Sequence, residues 1–547
     1  MTRRLLVPAL ALLMLLAGCV GIPTSGSVQT APIDADPDEV PQIALPESPQ
    51  AGQSMDEILL GFIKAGRGPQ NSYQVAEEFL TAEARTDWSG TARVLISAST
   101  ITPVRVDDDT LTITINVTAE VDASGRYVAS ASTQTLSYDF EVVDGEFRIS
   151  SSAPGTVLTP NGFSVAFDEY PLYFFDPSFR YLVPDLRWFP ATRAAAQRIV
   201  TELLGEPVPW LGPGVLFSAF PSGTVGEAQY EAPRVDVELS PDVRAESPQA
   251  QQRMVQQLEQ SLGTLPNVTD VGVTAGGLSV ASSGGVVTPE FRYAVHDLVG
   301  GVGGTFGTVA PEGTVTPLAV IGTRADGLQP QQVSLSRNRL SVAVLGSGGV
   351  SLVGSSGSPI PVDGRSGLVA PTIDPHGYVW SVPASNPAGL QATGSDAVVH
   401  QIQLEADGQV VAIELSRDGA RLLVALSTPS GPRLFVSGVL RDADLVPVAL
   451  GTPYPLPVDG NIVDVAWVDE VRVAVLRAAE SGTTVDVLAL GGPTERLGPV
   501  DSGIGIVGGN GEEGLRVLAA TGEVLRPSGA GGWVDTGLIA SFLGTQQ

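Results

Sequence analysis

One strand–turn–strand phrase recurs four times in the carboxyl-terminal half of this 547-residue chain. Val333-Ser334-Leu335-Ser336 precedes Leu340-Ser341-Val342-Ala343-Val344, and Pro371-Thr372-Ile373-Asp374 precedes Tyr378-Val379-Trp380. Ile413-Glu414-Leu415-Ser416-Arg417-Asp418-Gly419 precedes Leu422-Leu423-Val424-Ala425, and Val465-Ala466-Trp467-Val468 precedes Val471-Arg472-Val473-Ala474-Val475. The anchors at 336, 374, 416 and 467 stand 38, 42 and 51 residues apart. A repeat of about 40–50 residues made of short strands cannot bury its own apolar face, so its sheets must stack around an axis. The spacing therefore predicts a β-propeller over 326–547. A weaker copy ends at Leu515-Arg516-Val517-Leu518. Five blades can be counted, and a sixth built from both ends of the region would close the ring.

The amino terminus carries a different signal. Arg3 and Arg4 lead into an apolar run, Leu5 to Ala17, that is too short to span a bilayer and has the anatomy of a secretory leader. It ends in Leu16-Ala17-Gly18-Cys19, a lipobox whose cysteine is the only one in the chain. Residues 1–18 read as a lipoprotein signal peptide. Cys19 reads as the lipidation site, carrying an S-diacylglycerol and an N-acyl group such as palmitate. Two or three acyl chains anchor stably at about 0.8 kcal/mol per buried CH₂. Residues 19–50 hold six prolines and no periodic pattern, which predicts a semi-extended tether. The expected place is the extracytoplasmic face of the cell membrane.

Two α+β units should lie between tether and propeller. In 51–160, Ser54 and Glu57 form a capping box, and Met55, Ile58, Leu59, Phe62 and Ile63 share a helical face. A second helix is expected from near Ser72, with Tyr73, Ala76, Phe79 and Leu80 inward. The period then changes to two at Leu111, Ile113, Ile115 and Val117, and again at Leu136, Tyr138 and Phe140. Helices followed by an antiparallel sheet resemble the nuclear-transport-factor-2-like (NTF2-like) cone. In 161–285 the expected order is β-α-β-β-α-β: alternating Phe179, Tyr181 and Val183; a helix through Ala196–Leu204; strands at Val215–Phe220 and Val235–Leu239; a helix at Pro248–Leu262; and a strand at Val268–Val273. Residues 286–325, with Gly300-Gly301-Val302-Gly303-Gly304, read as a glycine-rich connection.

Composition removes most chemistries. The 59 acidic and 30 basic residues give a net charge of −29, a field that repels phosphate backbones, so no nucleic-acid partner is expected. Lys64 is the sole lysine, and three histidines (His296, His376, His400) with one cysteine supply little for a metal centre. No catalytic residue, cofactor or metal is expected. Asp107-Asp108-Asp109 reads as a solvated turn. Gly503-Ile504-Gly505-Ile506-Val507-Gly508 matches a dinucleotide fingerprint literally but lacks its βαβ setting, and reads as a propeller turn. Ser416-Arg417-Asp418-Gly419 reads as a reversal between blade strands, and His376 as part of the same kind of turn. His296 and His400 stand alone. Trp380, Trp467 and Trp533 could stack on sugars, but at strand positions they read as core.

Four fragments carry a family resemblance. Leu203-Leu204-Gly205-Glu206-Pro207, Ala219-Phe220-Pro221-Ser222-Gly223-Thr224, Val235-Asp236-Val237-Glu238-Leu239-Ser240 and Leu265-Pro266-Asn267-Val268 resemble the GerMN domain of spore-germination proteins. With a lipobox upstream and propeller repeats downstream, the chain resembles the actinobacterial LpqB lipoproteins over nearly its whole length. That resemblance implies a non-catalytic accessory of the MtrAB two-component system. Its partner would be the extracytoplasmic domain of the sensor kinase MtrB, with effects on cell division and envelope homeostasis. The competing reading is a wall-glycan binder or envelope hydrolase using the cone pocket or the propeller mouth, which two carboxylates facing each other about 5–9.5 Å apart across the mouth would favour.

Overall fold

A computed structural model of the chain describes residues 46–69, 73–280, 298–310, 314–529 and 531–547. The signal peptide, Cys19, most of the tether, Ser72 and His296 lie outside the described residues.

The first domain opens with the helix Met55–Ala65, entered through the expected capping box: the Glu57 carboxylate accepts from Ser54 N at 2.8 Å, and Ser54 Oγ accepts from Glu57 N at 3.4 Å. Tyr73, Ala76, Phe79 and Leu80 are all buried, but not along one helix. The helix Gln74–Glu77 stops after four residues, and a second, Ala82–Asp87, is capped by Thr81. Between them the backbone is drawn out against the strand Glu146–Ser152: Ile149 N donates to Phe79 O, and Thr81 N donates to Ile149 O. Backbone pairing to a sheet edge thus overrides helical periodicity. The sheet runs Glu146–Ser152, Tyr127–Val143, Thr110–Asp122, Arg93–Ser97, Thr156–Leu158, the last pair parallel. Its inner face meets the helices through Leu111, Ile113, Ile115 and Val117.

The second domain keeps the expected β-α-β-β-α-β order flanked by an extra strand at each end, Phe167–Phe175 and Leu278–Ser279, and with two of the expected strands reassigned. Its first strand is Leu182–Pro190, hairpin partner of Phe167–Phe175, whereas Phe179 sits in the intervening turn at φ +55°. Its second strand is Gly226–Glu231, which pairs antiparallel with Arg234–Leu239. Val215–Phe220 makes only an isolated bridge, Phe217 to Phe175. Val215, Leu216 and Phe220 are nonetheless core, so their apolar character reports burial and not extended pairing. The helices Ala195–Leu203 and Pro248–Leu262 cover the sheet.

Six blades form the propeller among the described residues. The four repeated phrases are inner strands with their turns: Gln332–Leu335, Thr372–Ile373, Gln409–Leu415 and Ile462–Trp467. Gly503–Val507 supplies the fifth inner strand, so the G-x-G-x-x-G segment is a strand, not the expected turn; it pairs with Arg516–Ala519. The sixth is the end of the long strand Gly532–Gln546. Inner strands touch in succession around the axis, and Gly544–Gln546 lies parallel to Val333–Leu335 to complete the circle.

The remainder of the closing blade comes from the expected glycine-rich connection. Leu298–Val302 pairs with the terminal strand (Gly300 opposite Leu543, Gly301 opposite Phe542), then with Thr305–Val309, which pairs with Val315–Pro317. This corrects the reading of 286–325 as a glycine-rich connection, since 298–309 and 315–317 are blade strands. A Cβ on Gly301 would stand 2.5 Å from the Phe542 ring, so glycine here permits close strand packing. Truncation tests the closure. A fragment starting at 298 is expected to unfold in one cooperative transition followed by circular dichroism. One starting at 326 should melt broadly or aggregate, because the terminal strand loses its partner edge. Identical melts would show that the closing blade is dispensable.

Candidate functional site

The sequence-marked residues do not converge. In the Asp107–Asp109 turn, Asp109 N donates to Asp107 Oδ1 at 3.3 Å. His376 sits in a blade turn organised by Asp374, whose carboxylate accepts from His376 N at 3.0 Å, Tyr378 N at 2.9 Å and Trp380 Nε1 at 3.2 Å, and pairs with Arg441 at 2.7 Å. The His376 ring packs edge-on against Tyr181 of the second domain, with 6.4 Å between centroids; burial first, then Arg441, lowers its pKa. Its place is a domain contact. His400 packs edge-on against Tyr378. Ser416-Arg417-Asp418-Gly419 is the expected reversal: Ser416 Oγ donates to Asp418 Oδ1 at 2.6 Å, and Arg421 pairs with Asp418 at 2.6 Å. Trp380 and Trp467 are buried, so neither face can meet a sugar. Trp533 is half-buried against the fifth blade's core.

Two acids missed at sequence level lie at the propeller axis. Glu414, on the third inner strand, lies within the repeated phrase and Asp464, on the fourth, immediately before it, each a single acid among apolar neighbours. Glu414 Oε1 accepts from Thr545 Oγ1 at 3.1 Å, and its Oε2 accepts from Trp467 N at 3.1 Å. Asp464 Oδ2 accepts from Ile506 N at 2.9 Å. Burial, reinforced by the Asp464 charge, pushes Glu414 up to about 8; burial pushes Asp464 up to about 6. Arg417 donates to Gln546 O at 3.1 Å and to Gly509 O. The third blade thus holds Thr545 and Gln546, while Gln546 Nε2 donates to Arg337 O of the first blade at 2.9 Å and Gln547 Nε2 to Thr372 Oγ1 of the second at 3.4 Å. The only signal in the sequence is an acid at an inner-strand position, where alternation alone cannot tell axis from solvent.

The second concentration of buried polar groups binds domain to domain. Arg187 is fully buried and donates to Asp185 through Nε at 3.1 Å and Nη2 at 2.6 Å. Its Nη1 reaches Glu202 at 3.3 Å and the Ser124 carbonyl of the first domain at 2.9 Å. Burial alone would lower the Arg187 pKa; Asp185 more than offsets this and holds it above the usual value. Trp188 Nε1 donates to Gly491 O of the propeller at 2.8 Å, and the Tyr173 hydroxyl donates to Glu470. Trp210 stacks on Tyr454 with centroids 5.3 Å apart, and Ala420 joins the second domain's core. Polar bonds with fixed geometry, laid over apolar contacts, specify one arrangement of the three domains.

Three family descriptions match in series: Lipoprotein LpqB, N-terminal domain, at residues 48–164; Sporulation and spore germination, at 171–281; and Lipoprotein LpqB beta-propeller domain, at 309–538. Among curated relatives, Lipoprotein LpqB of Thermobifida fusca is 28% identical over 296 residues, covering 51% of this chain and 47% of that protein. The Cutibacterium acnes LpqB is 25% identical over 536 residues, 88% of each chain, and that of Bifidobacterium longum 27% over 450 residues, 77% and 76%. The first of these matches thus spans about half of its relative, and the second nearly nine tenths. Two domains whose descriptions name LpqB flank the germination-type domain in one chain, and the Cutibacterium acnes relative aligns over 88% of each chain: the chain belongs to the LpqB family of lipoproteins.

Proposed function

We propose that this protein is a non-catalytic scaffold, anchored through lipid on Cys19 at the extracytoplasmic face of the membrane, that binds the extracytoplasmic domain of the sensor kinase MtrB. Through that contact it modulates the MtrAB system and hence division and envelope homeostasis. The observation that carries this reading is the fixed junction of the three domains through Arg187, Trp188, Tyr173 and Trp210. A rigid composite surface loses little conformational entropy on binding. Two proteins held on one membrane also meet at raised effective concentration, so modest affinity suffices. No described helix is long and apolar enough to cross a membrane, which leaves the lipid as the anchor in this reading.

Two measurements test it. The purified chain should retain the MtrB extracytoplasmic domain in a pull-down and show no saturable binding to wall fragments; the reverse pattern would replace the scaffold with a glycan binder. Separately, Cys19→Ser is expected to move the protein from the membrane pellet to the soluble fraction with its melting profile unchanged. Retention in the pellet after a high-salt wash would reveal a different anchor.

A further inference from the structure

A cavity of about 300 Å³ opens where all three domains meet. The first domain contributes Arg126 and Tyr127, the second Leu186 and Trp210, and the propeller Tyr454 and Leu490. Its size falls at the lower end of small-molecule sites, and junctions between domains are where such sites concentrate.

Of the two charged side chains lining this cavity, Asp185 is paired and Arg126 is not. Asp185 is occupied by Arg187 and by Val208 N at 2.9 Å. The Gly491 carbonyl accepts from Trp188 Nε1. Trp210 and Tyr454 lie face to face at an interplanar angle of 19°, so each ring already covers the other. The exception is Arg126: its Nε is buried with no hydrogen-bond partner among the described residues, although its charge is felt by Glu202. A buried donor without an acceptor is costly, and one in a native structure calls for an explanation. An apolar slot lined by a guanidinium with no hydrogen-bond partner among the described residues fits a ligand that is apolar along its length and bears an anionic oxygen acceptor at one end.

We infer that the three-domain junction binds a single-chain fatty acyl carboxylate, its chain between Leu186, Leu490 and Trp210 and its head oxygens accepting from the accessible N–H groups of the Arg126 guanidinium. A flexible acyl chain needs no further hydrogen-bonding groups, and the lining along its path is mainly apolar. Because the ligand would touch all three domains at once, its occupancy would favour one interdomain geometry over others. The inference stands apart from the choice of protein partner.

The probe is dodecanoate, kept below its micelle concentration. The protein is the full chain carrying Cys19→Ser, so that neither its own acyl groups nor detergent compete. Tryptophan fluorescence should change saturably at one site with micromolar affinity, and dodecyltrimethylammonium should bind at least tenfold more weakly. Arg126→Gln should weaken dodecanoate about tenfold or more. Val128→Trp, at a cavity-lining residue that is 55% exposed, should block the site without touching the core. Thermal melts confirm that each variant is folded, and if one is not, the other decides. Absence of saturable binding, equal binding of the cationic amphiphile, or unaltered binding in a folded Val128→Trp would overturn the assignment.

Discussion

Arg187→Met is expected to destabilise the protein by about 3–5 kcal/mol, the range for removing one partner of a buried ion pair. The cost arises at Asp185, which is 2% exposed and would keep its charge with only Val208 N as a fixed donor. The bond to the Ser124 carbonyl is lost as well, so the first domain's contact with the second should loosen at the same time. Urea titration followed by tryptophan fluorescence reads the effect, since Trp188 and Trp210 flank the site. The double variant Asp185→Asn with Arg187→Met should recover part of the loss, because it removes the stranded charge. A single variant within 1 kcal/mol of the parent would show that Arg187 is not what secures this junction.

Glu414→Gln is expected to stabilise the propeller, increasingly as pH rises. With burial pushing Glu414 up to about 8, the unfolded chain releases this proton near the ordinary value of 4.5 while the folded chain retains it. Between those values the unfolded state binds fewer protons, so stability falls with pH at up to about 1.4 kcal/mol per unit from this group. Below about 4.5 the penalty is absent, and above about 8 it is complete. Glutamine keeps both bonds, its oxygen accepting from Trp467 N and its amide donating to Thr545 Oγ1, and it carries no proton to lose. The variant should match the parent near pH 4.5 and exceed it by on the order of 4 kcal/mol at pH 8.5. Asp464, pushed up to about 6, adds a similar slope at lower pH in both proteins. Thermal melts across this range provide the test, and a pH-independent gap would mean that Glu414 is charged in the folded state.

The sequence by itself determined the repeat, the first helix with its capping box, and the order of elements in the second domain. Each rests on a period or a side chain-to-backbone bond spanning a few residues, so neighbouring residues contain the whole signal. Ser54 and Glu57 cap the helix whatever surrounds them, and the four inner-strand phrases alternate because every blade has two faces. Tertiary structure decided the rest. Gly300 and Gly301 carry no side chain from which a strand could be read; their role follows from Phe542 and Leu543, some 240 residues away, approaching their backbone. Phe79 and Leu80 left the helical pattern because a distant strand edge offered hydrogen bonds. Glu414 and Asp464 look like ordinary strand acids until ring closure sets them among the inner strands, partly shielded from water. Arg126 and Trp210 become wall residues of one cavity only when three domains meet. Periodicity is a local property of the chain, whereas the environment of a polar group is set by whatever folds against it.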